Sequence, residues 1–255
     1  MVELKTDAAV EAMREAGRVV ARALAAVEGA AAVGVTLREL DEVARAVLAD
    51  AGARSPFLGY RPSYAPIPFP AVICASVNDA VVHGIPSRDR LRDGDLVSID
   101  CGALLDGWAA DAAVSFTVGT PRPADLALID TTRRALDAGI AAAVPGNRVG
   151  DIAHAIGAVA REAGYGVPAD LGGHGIGRRM HEDPHVPNRG RPGRGFPLRP
   201  GLVLALEPMF TAGGRDGYHT ADDGWTLHTV DGSRAAHVEH TVAVTADGPR
   251  VLTLP

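Results

Sequence analysis

The sequence predicts an α+β fold built from two related halves, and two observations carry this. LRDGDLVSID (91–100) and LRPGLVLALE (198–207) align without a gap, each a hydrophobic strand closed by an acid, and the order helix, helix, strands occurs twice. The segment GVTLRELDEVARAVLADAG (34–52) matches GNRVGDIAHAIGAVAREAG (146–164), DAAVSFTV from Asp111 matches EHTVAVTA from Glu239, and HGI stands at both 83–85 and 174–176. An offset of roughly a hundred residues is too long for a solenoid repeat and implies half-domains facing each other across a pseudo-twofold axis. The halves, about 1–120 and 121–255, share their functional residues, so the 255-residue chain reads as one domain.

Each element follows from local pattern. Residues 7–29 read as an alanine-rich amphipathic helix with Thr6 or Asp7 near its cap, and 36–51 as a second, opened by Thr36 with Glu39 three residues on. Five prolines and two tyrosines in RSPFLGYRPSYAPIPFP forbid a helix between 53 and 70, which reads as a long surface loop. Asp106-Gly107 is a two-residue turn between alternating apolar runs, so strand partners should have numbers summing to about 213. Helices at about 123–143 and 149–163 repeat the first pair, with glycines at 52 and 164 suited to C-caps, and the Gly/Arg/Pro-rich stretch 188–197 is another loop.

Composition excludes several classes. A net charge of −6 without a basic run gives no electrostatic footprint for nucleic acid. The segment MVELKTDAAVEAMREAG carries charge from its third residue and has neither a signal-peptide core nor a membrane span, which points to the cytoplasm. Two cysteines, Cys74 and Cys101, supply no disulfide framework, and Cys101 alternates away from Asp100 into the core.

In the hairpin register Asp100 pairs with Ala113, and Asp111 faces the same side diagonally, with Cα atoms roughly 7–8 Å apart. A solvated hairpin face with two ordinary aspartates is the alternative, and the repeat argues against it, because Asp100 corresponds to Glu207 and Asp111 to Glu239. Asp100, Asp111, His174, Glu207 and Glu239 then converge at the axis. Ionised carboxylates are costly to bury without partners, and a divalent metal pair removes that cost. Four carboxylates and one imidazole form an oxygen-rich set suited to Mn(II), Fe(II), Co(II) or Zn(II).

VNDAVVHGIP, DLVSIDCGALLDGWAADAAVSF, GHGIG followed by MHEDP, LALEPM, DDGWTLHT and HVEHTVAVT resemble, in order and spacing, the motifs of the type I methionine aminopeptidase family. The resemblance covers nearly the whole chain. It implies the pita-bread fold, a curved antiparallel sheet with helices on its outer face and a dinuclear centre on the concave face. It also implies a metal-dependent aminopeptidase that removes the initiator methionine from nascent proteins, with small second residues favoured, by attack of a metal-bridging hydroxide. In this family pattern Asp111 and Glu239 bridge two ions, His174 and Glu207 complete one, and Asp100 holds the other, to which the substrate α-amine binds. Glu207 is the implied proton acceptor, His181 the contact to the scissile carbonyl oxygen and His83 the contact to the amide nitrogen. Tyr60 and Trp225 match positions that enclose the methionine side chain, with Cys74 and Met180 beside them.

Departures bear on that pocket: Met180 stands where bacterial relatives often carry phenylalanine, and the run 61–70 replaces a shorter loop. Two alternatives stay open, an Xaa-Pro peptidase of the same fold and a non-catalytic module that binds peptides. The first is expected to carry an additional amino-terminal domain and the second to have lost ligands. Without a zinc-binding or proline-rich extension ahead of the first helix, any ribosome contact is expected to use the catalytic domain, and the chain to act as a monomer. Of the remaining histidines, His154, His219, His228 and His237 read as surface or structural residues, and His185 and His240 adjoin the motifs only in sequence. Glu182 and Asp183 read as solvated loop acids.

Overall fold

The computed structural model describes residues 2–63 and 65–255; Tyr64 of the proline-rich loop lies outside them. Along the chain run α1 (Asp7–Ala30), α2 (Leu37–Asp50), β1 (Ile73–Val77), β2 (Ala80–Val82), β3 (Asp95–Leu105) and β4 (Trp108–Val118). Then come α3 (Pro123–Ala142), α4 (Val149–Ala163), β5 (Gly172–Gly175), β6 (Glu182–Pro187), β7 (Val203–Leu206) and β8 (Met209–Thr211). The chain closes with β9 (Tyr218–Thr220), β10 (Leu227–Thr229), β11 (Ala235–His237), β12 (Glu239–Thr245) and β13 (Gly248–Val251). No helix among the described residues is long and apolar enough to cross a membrane.

The helices begin where side-chain chemistry satisfies their free amides. The Ala9 amide donates to Thr6 Oγ1 at the start of α1. At α2, Glu39 donates its amide to Thr36 Oγ1 while Thr36 donates its own to Glu39 Oε2, a reciprocal capping box. Gly164 ends α4 with φ +73°, the left-handed conformation that glycine adopts without strain.

The main sheet is antiparallel and runs β1-β3-β4-β12-β7-β5-β6, with β13 also on β12. The order from β1 to β5 is symmetric about the β4/β12 pair, where the two sequence halves meet, and β6 extends one side. Glu239 pairs with Ala113 there, and the equivalent position by symmetry is Asp111 with Thr241. At that position the Asp111 amide donates to Thr241 Oγ1 at 2.9 Å and the same hydroxyl donates to the Asp111 carbonyl at 2.8 Å. One face of the sheet is covered by helices. Val97, Ile99 and Cys101 of β3 pack with Val20, Leu24 and Leu40 of the first helix pair, and Leu204, Leu206 and Val242 with Leu136, Ile152 and Ile156 of the second. The alternation of each strand therefore leaves Asp100, Asp111 and Glu239 on the opposite face.

The hairpin register is the expected one, Asp100 opposite Ala113, with Asp106 and Gly107 both at positive φ in the turn. The segment 53–70 departs from a simple surface loop. Phe57, Ala65 and Phe69 are buried and pack with Cys74 and Trp225, because the prolines that exclude a helix also present these apolar side chains inward. Glu182 departs as well: it opens β6 and its carboxylate lies 2.8 Å from the buried Lys5 ammonium rather than in solvent.

Candidate metal centre

Strand register gathers the acids into two rows. Cys74, Asp100, Ala113 and Glu239 lie opposite one another across β1, β3, β4 and β12. Beside them Gly102 lies opposite Asp111, and Thr241, Ala205, His174 and His185 continue across β12, β7, β5 and β6. Opposed residues share a face, so all the acids point the same way. Glu207, one residue past β7, joins them. The small residues between the ligands, Gly102, Ala113 and Ala205, keep that face open. A Cβ at Gly102 would stand 2.7 Å from Pro56 Cγ and 3.1 Å from the Phe57 ring.

The side chains converge. His174 Nε2 lies 3.7 Å from Glu207 Oε1, and a donor atom from each of Asp111, His174 and Glu239 falls within 4.8 Å of the others. His174 Nδ1 is 2.9 Å from the Gly175 carbonyl, which can only accept, so Nδ1 carries the proton and Nε2 presents its lone pair to the acids.

Electrostatics test whether these residues suit cations. Burial pushes Asp100 up to about 7, against the pull of the neighbouring Asp111 and Cys74 side chains. Burial, reinforced by the surrounding carboxylates, raises Asp111, Glu207 and Glu239 well above the carboxylate range. The buried oxygens Asp100 Oδ1, Asp111 Oδ1 and Glu239 Oε1 have no hydrogen-bond partner. Four acids forced together, three of them with an unpaired oxygen, would resist ionisation, and divalent cations among them would supply both the missing partners and the missing charge. The donor set fits a pair of divalent ions.

Above the acids lies a cavity of about 280 Å³. All the residues read from the sequence border it: Asp100, Asp111, His174, Glu207 and Glu239 below, His83 and His181 at the side, and Tyr60, Cys74, Met180 and Trp225 in the wall. The His181 ring lies between those of Tyr60 (5.3 Å between centroids) and His174 (4.4 Å), tilted against both. Trp225 packs against Phe69 at 5.1 Å and donates its indole N–H to the Ile67 carbonyl. His83 sits at φ +61° just past β2, its ring 6.2 Å from Trp225. Burial lowers His83 to about 4 and also lowers His181, so both rings are neutral at pH 7.

Sequence reasoning missed several neighbours. Phe57 and Phe69 join the apolar wall, and Met209, Leu171 and Asp170 also border the cavity. His185 is not merely adjacent in sequence: it pairs with His174 across β5 and β6 and lines the cavity. His237, read as surface or structural, is 2% exposed, and its Nε2 lies 3.8 Å from both Glu207 and Glu239. Its position two residues before Glu239 was the available signal. His240 points away, toward the Thr253 hydroxyl.

Comparison with known proteins agrees with this arrangement. The model of metallopeptidase family M24 matches residues 11–246. Methionine aminopeptidase 1 of Mycobacterium tuberculosis is 54% identical, over 100% of this chain and 96% of its own length. The methionine aminopeptidase of Clostridium acetobutylicum is 46% identical, over 100% and 99%. The crystal structure of the Thermotoga maritima methionine aminopeptidase superposes with a TM-score of 0.95 at 38% identity, each chain covered in full. With the family model matched over most of the chain and relatives of 54% and 46% identity aligned along its whole length, the chain belongs to metallopeptidase family M24, among its methionine aminopeptidases.

Proposed function

We propose that this chain is a divalent-metal-dependent aminopeptidase that removes the amino-terminal methionine from new proteins and peptides, favouring a small second residue. The observation that carries this reading is the set of four carboxylates, those of Asp111 and Glu239 fully buried, gathered with His174 at the floor of a cavity with apolar walls. That cavity, at about 280 Å³, is smaller than the roughly 300–1,000 Å³ pockets that take drug-sized ligands, so it admits the end of a chain rather than a folded surface.

Asp100, Asp111, His174, Glu207 and Glu239 would hold two ions of Mn(II), Fe(II), Co(II) or Zn(II). Such ions supply Lewis acidity and make water acidic enough to yield a nucleophile near neutral pH. The protein's own groups do the rest. Glu207, whose proton affinity is raised by burial, accepts the proton of the attacking water and passes it to the departing amine. His181, a neutral donor fixed by Tyr60 and His174, faces the oxygen on which charge develops. His83 faces the amide nitrogen of the same bond. Tyr60, Phe57, Phe69, Cys74, Met180 and Trp225 form the side-chain pocket, where a flexible thioether packs well on aromatic edges. We read the chain as one catalytic domain acting as a monomer in the cytosol, where this substrate emerges, with any ribosome contact made by the same domain.

Metal-stripped protein, assayed on Met-Ala-Ser, Leu-Ala-Ser and Ala-Pro-Ala with each metal restored in turn, tests the reading. Met-Ala-Ser should be cleaved fastest, ahead of the leucine peptide by roughly 10–200-fold, the value of one imperfect apolar fit. Comparable cleavage of Ala-Pro-Ala would point instead to an Xaa-Pro peptidase, and no cleavage with any metal to a binding module.

A further inference from the structure

His237 has no role in the reading above, yet it is built into the centre. It ends β11, and its backbone is fastened to the ligand hairpin. Its amide donates to Ser98 Oγ (3.3 Å) on β3 and Ser115 Oγ (3.0 Å) on β4. Its carbonyl accepts from Ser115 Oγ at 2.7 Å, and the two serine hydroxyls bond each other at 2.7 Å. All three residues are buried. These contacts aim the ring at the acids, where Nε2 finds no hydrogen-bond partner.

The separations bear on what Nε2 is for. At 3.8 Å from Glu207 Oε2 and 3.8 Å from Glu239 Oε2, it is too far for a hydrogen bond to either. Donors that share one ion at about 2.0–2.2 Å stand roughly 3 Å apart at a right angle and roughly 4 Å apart when opposed, which brackets the observed distances. A donor atom from each of Glu207, His237 and Glu239 also falls within 4.8 Å of the others. Glu207 is thus flanked by two imidazoles, with Oε1 toward His174 and Oε2 toward His237. A neutral imidazole adds a donor without adding charge, and it favours ions that accept nitrogen.

We propose that His237 is a further metal-binding residue, whose Nε2 gives the divalent centre a second imidazole donor through a Glu207–His237–Glu239 set. This rests on the metal-dependent reading above and names a ligand beyond it. The test uses full-length protein labelled with ¹⁵N at histidine, stripped of metal and titrated with Zn(II). His237→Gln identifies the His237 ring signals by their absence, His174→Gln does so for His174, and circular dichroism checks that both variants fold.

Ring nitrogens of both His174 and His237 should move to positions typical of metal-bound imidazole and return on chelation. Zn(II) affinity, by competition with a chromophoric chelator, should fall about 10–100-fold in His237→Gln, the range found when groups that support a metal site are removed. If the His174 signal moves and that of His237 does not, the assignment of His237 fails while the metal centre stands. If neither ring responds, the metal-dependent reading fails with it. Should His237→Gln not fold, the wild-type titration with signals assigned through His237→Asn decides the question by the same shifts.

Discussion

Asp111 stands where the two rows of acids cross from one half of the chain to the other, and in the proposed centre it would bridge the two ions. It is 3% exposed with an unpaired oxygen, so Asp111→Asn substitutes a neutral amide for a buried bridging anion without changing volume. Metal content by elemental analysis and calorimetry should collapse together with turnover, while the circular dichroism spectrum stays that of the folded protein; normal metal content in the variant would rule out a bridging role. His181 should behave differently. It borders the cavity but is not needed to complete the ligand set, so His181→Ala should keep its metals and lose about 100- to 1,000-fold in kcat, with KM changed far less. Loss of metal in that variant would make His181 a ligand or a support for one.

At the level of elements, the turn at Asp106-Gly107 sets which side chains of β3 and β4 face the acids. Gly107 has φ +80°, and a Cβ there would meet nothing nearer than 3.9 Å. Gly107→Ala therefore adds conformational strain without a clash, and should cost about 1–2 kcal/mol in denaturant unfolding with the metal site intact. A variant as stable as wild type would show that the turn does not depend on glycine. This hairpin, the Thr36–Glu39 capping box and the four helices were legible in the sequence because each is decided by residues a few positions apart. His237 was not, because β11 is three residues long and its approach to Glu207 is made by pairing with β8 and by serines more than a hundred positions away. The loop 53–70 was half legible: its prolines exclude a helix, but nothing local says that Phe57 and Phe69 turn inward.

For the molecule as a whole, the buried acids make stability depend on pH and on metal together. Asp100 binds its proton up to about pH 7 when folded, and only to about pH 4 when unfolded. Between these values the folded state holds more protons, so stability contributed by this group is intact below about pH 4 and lost as pH rises through about 7. Asp111, Glu207 and Glu239 are shifted the same way and add to the loss. Cations favour the ionised forms and reverse it. The Tm difference between metal-loaded and chelated protein should therefore widen steadily from pH 5 to pH 8 in scanning calorimetry; a constant difference would mean that the acids are not coupled to the ions.

The seam between β4 and β12 gives the ions a second consequence. Among the described residues, two ladder pairs and the Thr241 hydroxyl join the strands there, between residues about 126 to 130 positions apart in the chain. An ion held by Asp111 and Glu239 together, as proposed, would be a cross-link as well as a catalyst. It closes a loop of that length much as a disulfide would, a constraint on the unfolded chain on the order of 5 kcal/mol in the loop-entropy account. Amide exchange along this seam should quicken on chelation before that of the helices does, and unchanged exchange would refute the cross-link. A chain whose halves are fastened this way comes apart at the same point where it loses its chemistry.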